Sequence, residues 1–176
     1  ASFNTAVGVS ALSTNTTGAS NVAVGQATLD ANTTGGSNTG VGQAALGANT
    51  TGADNVAIGA GALDANTTAS FNTAVGRSAL TDNTTGAALV AIGFQALENN
   101  VSDSDTVAIG VNAGRNATSS SSVIIGSQAN STGVMTGDNN ILVGYQSGFN
   151  MTSGANNTAV GKDALLVNTT GELNTA

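Results

Sequence analysis

The acidic residues are the first candidates for chemistry, because they are most of the chain's few charged groups. Asp103 and Asp105 are separated by one residue, and Asp138 directly precedes Asn139. Carboxylate and amide oxygens are the ligands that Ca²⁺ prefers, so loops of this kind can hold that ion. No full ligand set is visible around these residues. We therefore interpret them as solvated turn residues, and we predict neither a metal nor a cofactor.

The common nucleophilic catalysts based on His or Cys would need side chains that this chain lacks. The sequence contains no His and no Cys. Neither a Ser-His-Asp triad nor a Cys-His pair can therefore be built from it, and a zinc ion would lack its usual ligands. We predict a protein that is not an enzyme and has no catalytic residues.

Tyr145 and Phe149 are the candidates for ligand recognition. They are two of only five aromatic residues in the chain. Aromatic faces often anchor sugars and proteins, because they give a large contact area at little entropic cost. The alternative is that both rings pack within a subunit or between subunits.

A column of threonines suggests a second kind of surface. In a stack of β-coils, equivalent residues of successive coils lie roughly 4.8 Å apart. A regular array of hydroxyl and methyl groups at that spacing could bind ice or lie against a polysaccharide. The column is formed by Thr16, Thr33, Thr50, Thr67 and Thr84, with Thr17, Thr34, Thr51, Thr68 and Thr85 beside it.

The element that must position all these residues is a repeat. A Val or Ile followed by Gly recurs at intervals of 17 residues six times, then 16, 18 and 17. A fixed short period is typical of a chain that stacks one structural unit on the next. The glycines are Gly8, Gly25, Gly42, Gly59, Gly76, Gly93, Gly110, Gly126, Gly144 and Gly161.

We number each unit from one to seventeen, so that Asn21 occupies position one and Ser37 position seventeen. Position four is always Val or Ile, and position two is Thr, Val or Ile. These β-branched residues favour a strand, on which positions two and four share one face. We expect that face to line the interior of the coil. Position three points the other way and is Ala or Gly in eight units. We expect it at a contact with a second subunit, including Ile124 and Leu142.

The rest of the unit predicts how each coil closes. The position-five Gly follows the strand and is expected to form the first corner. An Ala-Leu pair at positions eight and nine predicts a second inward-facing segment, either extended or a short helical turn. The Asn-Thr-Thr-Gly tetrad closes the coil, since Asn and Gly are turn formers.

The coils between residues 111 and 157 depart from this pattern. Position nine becomes Gly114, Asn130 and Gly148, and the closing turn is lost or lengthened. Insertions in solenoids map to one face and often carry binding. A ligand site would therefore lie in these coils, whereas the alternative is ordinary divergence of the repeat or a change in the width of the rod.

Charge and hydropathy argue against two classes of partner. The formal net charge is −7, and only Arg77, Arg115 and Lys162 are basic. Nucleic-acid binding requires clustered Lys and Arg, so we predict no such partner. No apolar run approaches the length of a membrane span, so we predict no membrane insertion by this segment.

The strings Asn55-Val56-Ala57-Ile58-Gly59 and Thr106-Val107-Ala108-Ile109-Gly110 resemble the S-V-A-I-G type motif of trimeric autotransporter adhesin heads. The longer string from Asn72 to Gly86 is similar to repeats of phage tail fibres and of bacterial surface proteins that end in an intramolecular chaperone of the endosialidase type. The resemblance covers nearly the whole chain and is weakest between residues 111 and 157. It implies a left-handed parallel β-roll in a homotrimer.

These observations together predict an all-β parallel solenoid over residues 1–176, with about ten coils and a length on the order of 50 Å. We expect a segment of a longer fibre protein that is extracellular, on a cell surface or in a virion tail fibre. Its expected partners are two further copies of itself and a host-surface glycan or protein. Its expected function is structural or adhesive, and the alternative is ice or polysaccharide binding.

Overall fold

The computed structural model of the chain describes residues 2–176, which form one continuous sheet of ten parallel strands. The strands are β1 Thr5–Val7, β2 Val22–Val24, β3 Thr39–Val41, β4 Val56–Ile58, β5 Thr73–Val75, β6 Val90–Ile92, β7 Val107–Ile109, β8 Val123–Ile125, β9 Ile141–Val143 and β10 Thr158–Val160. Each strand pairs with the next one along the chain. The chain thus winds about nine turns of a β-solenoid, which confirms the predicted fold class.

Equivalent residues of successive coils lie directly above one another. Val22 pairs with Thr39, and Val24 pairs with Val41. The one short and one long interval leave this register intact, because Val107 pairs with Val123 and Val123 with Ile141. The extra or missing residues are therefore absorbed in the turns. Residues 2–176 contain no helix that is long and apolar enough to cross a membrane.

The position-five glycine forms a corner, as predicted. Gly59 has a φ of 135°, which side-chain-bearing residues rarely adopt. A Cβ at Gly59 would lie 2.5 Å from the carbonyl oxygen of Gly76 in the next coil. Glycine is thus required both by the local backbone and by the close stacking of neighbouring coils.

The Ala-Leu segment faces inward, but it is a tight turn and not a helix. Leu29, Leu46, Leu63 and Leu80 are fully buried. Each has a positive φ, such as 51° at Leu29. The alternative of a short helical turn is therefore wrong, since the left-handed backbone conformation bends the chain at each Leu instead of continuing a right-handed helix.

The predicted orientation of the strands is wrong. In β2–β10 position three is fully buried, for example at Ala23, Ala57 and Ala74, whereas position four is exposed or half-buried. Ile58 and Ile92 retain 41% and 37% of their accessible surface. Positions two and four therefore face outward, and the small residues at position three fill the interior, where we had expected a subunit contact.

The narrow interior is the physical reason for this reversal. At Gly40, an added Cβ would lie 2.6 Å from the Thr28 methyl group and 3.7 Å from Leu29. Position three thus packs against positions eight and nine across the coil. Once Leu occupies position nine, only a hydrogen or a methyl group fits opposite.

Ile124 and Leu142 follow the same rule in the irregular coils. Both are fully buried inside the solenoid, so their predicted burial against a partner is wrong. A Cβ at Gly114 would lie 2.8 Å from Ile124 Cδ1, and a Cβ at Gly148 would lie 2.8 Å from Leu142 Cδ1. A large side chain at position three therefore compensates for the loss of Leu at position nine.

Two buried ladders of asparagine amides complete the interior. In the closing turn, Asn49 Nδ2 donates to the carbonyl of Gly52 at 3.0 Å and to Asn32 Oδ1 of the previous coil at 2.9 Å. At position one, Asn38 Oδ1 accepts from the backbone N–H of Asn55 at 3.1 Å. The Asn-Thr-Thr-Gly tetrad closes the coil as predicted, and its Asn also joins one coil to the next.

Candidate interaction surfaces

The acidic residues considered as Ca²⁺ ligands lie in the turns before β7 and β9. Ser120 donates its backbone N–H to Asp138 Oδ1 at 2.8 Å. Burial, and next the charge of Asp138, raise the pKa of Asp103 above its usual range. Residues 2–176 contain no group of three or more His, Cys, Asp or Glu side chains that could hold a metal ion.

The two candidate aromatic residues lie near one corner of coil nine. Tyr145 directly follows the corner glycine Gly144 and retains 45% of its surface, whereas Phe149 is half-buried. The backbone N–H of Phe149 donates to the Gln146 carbonyl at 3.2 Å. The described part of the chain contains no pocket. Any ligand at these rings would therefore bind on an open surface.

The predicted threonine column uses its hydroxyl groups within the solenoid. Each hydroxyl donates to a backbone carbonyl of the next coil, at 2.9 Å from Thr16 to Thr33 and at 3.0 Å from Thr50 to Thr67. Thr33, Thr67 and Thr84 make the same contact. The neighbouring column is exposed and consists of Thr17, Thr34, Thr51, Thr68 and Thr85. Any hydroxyl array offered to an external ligand would be this second column.

One long regular surface was missed by sequence reasoning. We call it the strand face; it consists of positions two and four of all ten strands. Its residues are Thr, Val or Ile in every coil, and all are half-buried or exposed. With strands about 4.8 Å apart, it extends for roughly 45 Å along the rod. The exchange of Leu at position nine for Ile124 and Leu142 at position three was the sequence signal that could have revealed this orientation.

Two exposed columns border the strand face. The entry column consists of the residues at position seventeen, directly before each unit: Phe3, Ser20, Ser37, Asp54, Phe71, Ala88, Asp105, Ser121, Asn139, Asn156 and Leu173. The exit column consists of the residues at position six, directly after each corner glycine: Val9, Gln26, Gln43, Ala60, Arg77, Phe94, Val111, Ser127, Tyr145 and Lys162. Every residue of both columns is exposed.

No protein-family model, curated protein or solved structure matches this chain.

Proposed function

We propose that this chain is a structural and adhesive segment, shaft or head, of a trimeric extracellular or virion-borne fibre that mediates attachment to a surface. The observation that carries the proposal is the strand face. Continuous apolar surfaces of this size are typical of interaction sites, because exposing them to water is unfavourable. A rod of stacked coils with one such face along its length is suited to pairing side by side with further copies.

The resemblance to trimeric adhesin heads supports three chains as the assembly. In such an assembly the three strand faces point toward a common axis and bury their Val and Ile side chains. The polar turns and the Thr columns then form the outer surface. This arrangement removes the strand face from water and leaves the irregular coils, with Phe149, available to a ligand, whereas Tyr145 lies beside the subunit contact because it belongs to the exit column.

Assembly is tested by measuring the molar mass of the segment in solution. We expect a trimer for the unmodified chain and a folded monomer for Val75→Asp, which places a charge on the strand face. Thr51→Asp, on the outer turn, is the matched control and should remain trimeric. A stable monomer of the unmodified chain would contradict the proposal.

Attachment is tested on an array of host-surface glycans. Binding by the unmodified trimer, lost in the double variant Tyr145→Ala, Phe149→Ala without loss of trimer stability, would assign recognition to these rings. Lost trimer stability would instead assign both rings to packing. A trimer that binds no glycan on the array would remove glycan attachment and leave a structural shaft.

The alternative function, ice or polysaccharide binding, now concerns the exposed second Thr column. Its in-register stacking supports this candidate, because the hydroxyl groups recur at the regular strand spacing of about 4.8 Å. Thermal hysteresis of the unmodified segment, abolished by Thr51→Lys with Thr68→Lys, would support ice binding. Absence of hysteresis would exclude it.

A further inference from the structure

The two columns that border the strand face differ in charge. The entry column carries Asp54 and Asp105, and Asp138 and Glu172 stand one residue before it. No Lys or Arg lies at any of these positions or elsewhere on that edge. Asp54 and Asp105 form no ion pair within residues 2–176. This edge of the strand face is therefore acidic and its charges are not neutralised within the chain.

The exit column holds two of the chain's three basic residues. Arg77 and Lys162 both follow a corner glycine. The third, Arg115, is elsewhere on the coil and binds Glu98 at 2.6 Å. Lys162 has Asp163 next to it, at 3.7 Å between Nζ and Oδ2. Arg77 has no carboxylate partner within residues 2–176, and its guanidinium lies over the Phe94 ring, 5.4 Å from the centroid.

Symmetry decides which edges can meet. If three copies are related by a three-fold axis parallel to the rod, the entry column of one copy adjoins the exit column of the next, because the contact is heterologous. If two copies run antiparallel, the two-fold axis is perpendicular to the rod and like edges adjoin. The acidic entry columns of the two copies would then face each other, which is unfavourable because like charges repel. The charge distribution thus favours the parallel arrangement.

The residues also match in their order along the rod. Asp54 and Phe71 precede the consecutive strands β4 and β5, and Arg77 and Phe94 follow the consecutive strands β5 and β6. In a closed trimer the copies are related by rotation alone, so Arg77 of one copy lies one coil from Asp54 of the next, and Phe94 lies one coil from Phe71. Asp138 precedes β9 and Lys162 follows β10, so these two residues are offset by one coil as well. One coil is about 4.8 Å, which Arg and Lys side chains can span.

We propose that parallel copies of this chain associate through these edges, with Arg77 and Phe94 of one copy packed against Asp54 and Phe71 of the next. The inference rests on the proposed side-by-side assembly and specifies its direction and register. Phe71 supports it independently, because this ring retains 66% of its surface beside the apolar strand face. Packing against Phe94 of a neighbour would bury it, and Arg77 would stack on the ring pair and bind the carboxylate.

The direct test is crosslinking between two introduced cysteines, since the chain has none of its own. The double variant Asp54→Cys, Arg77→Cys is treated with a short bismaleimide at a concentration where the unmodified chain is trimeric. We expect a covalent trimer closed by three links. The control Thr51→Cys, Arg77→Cys should give none, because Thr51 lies on the outer turn.

A charge exchange supplies a second measurement. Arg77→Asp should weaken assembly on the order of tenfold, because it places like charges together at each contact. The exchange Asp54→Arg, Arg77→Asp should restore assembly. A trimer that gives no link between positions 54 and 77 would overturn this inference and leave the proposed function standing. The same holds for a trimer in which the single variant Asp54→Cys or Arg77→Cys links to itself. A monomer of the unmodified chain would instead overturn the proposed function.

Discussion

The coils of β2–β5 and the coils of β7–β9 share one backbone path but have different interiors. In the first group, Leu at position nine lies opposite Ala or Gly at position three, and Asn amides form continuous ladders. In the second group, Ile124 and Leu142 fill the interior from the strand, and Met135 and Met151 are buried where the Asn ladder has ended. The strand register is nevertheless unbroken.

The backbone and the interior of a coil are therefore specified by different residues. Strand pairing and corner glycines maintain the coil, and the interior can change as long as its volume is conserved. Hydrogen bonding is less well conserved than volume. The buried amide of Asn100 has no partner for either of its polar atoms within residues 2–176, and Asn112 and Asn130 each have one unpaired oxygen. No such atom occurs within residues 2–99.

The largest expected effect comes from breaking the exchange of volume between positions three and nine. Ile124→Ala should lower the free energy of unfolding by about 2–4 kcal/mol, because it leaves a cavity beside Gly114. Gly114→Leu alone should cost about 1–3 kcal/mol through overpacking against Ile124. The double variant recreates the regular interior and should recover most of both losses. Urea denaturation at fixed protein concentration measures this cycle.

Val134→Ala is the control for that cycle, because Val134 is exposed in the same coil. It should change stability by about 0.5 kcal/mol or less. Additive effects of Ile124→Ala and Gly114→Leu would show that the two positions do not compensate for each other.

The next prediction is a stability change of opposite sign at Asn66, in a regular coil, and at Asn100, in the coil of β6 that separates the two groups. Asn66→Leu should destabilise the protein by about 2–4 kcal/mol, because it removes bonds to Asn49 Oδ1 at 2.8 Å and to the Ala69 carbonyl at 3.1 Å and leaves buried polar atoms unpaired. The equivalent Asn100→Leu removes an amide that has no partner to lose. It should stabilise the protein by about 1–2 kcal/mol.

Thermal unfolding of this matched pair followed by circular dichroism gives the comparison. The two variants carry the same substitution at the same position of the repeat, so differences in side-chain volume and helix or strand propensity cancel. Destabilisation by Asn100→Leu equal to that by Asn66→Leu would mean that Asn100 is hydrogen-bonded in solution.

The smallest effect concerns pH in the irregular coils. Burial and the neighbouring Asp138 raise the pKa of Asp103 above its ordinary value of 3.8. The folded state therefore holds this proton more tightly than the unfolded chain does. The stabilisation is fully present below pH 3.8 and is lost as the pH rises through the raised pKa.

Asp103→Asn should consequently melt at a slightly higher temperature than the unmodified chain at a pH of about 7, where the unmodified side chain is ionised. That advantage should disappear as the pH is lowered below the ordinary value. Asp82→Asn, in a regular coil and exposed, is the control. A pH-independent difference between Asp103→Asn and the unmodified chain would contradict the assignment.

The amino-acid sequence by itself determined the repeat, the parallel strands and the corners. These features follow from local chemistry: β-branched residues favour a strand, the corner after each strand needs a positive φ that glycine supplies, and a constant spacing stacks equivalent residues. The inward-facing Leu and the closing Asn turn were predicted for the same reason. The departure of residues 111–157 from the repeat is visible along the chain as lost Leu residues and altered spacing.

Which side of each strand faces the interior depends on packing across the coil and could not be read from the strand itself. Alternation along a strand shows that two faces exist, but both faces here carry apolar residues, so the pattern cannot rank them. The choice depends on how much space Leu29 or Leu46 leaves on the opposite wall, which is a contact between segments distant within the coil. The same contact turned the Val and Ile residues outward and so created the strand face, on which the proposed assembly depends.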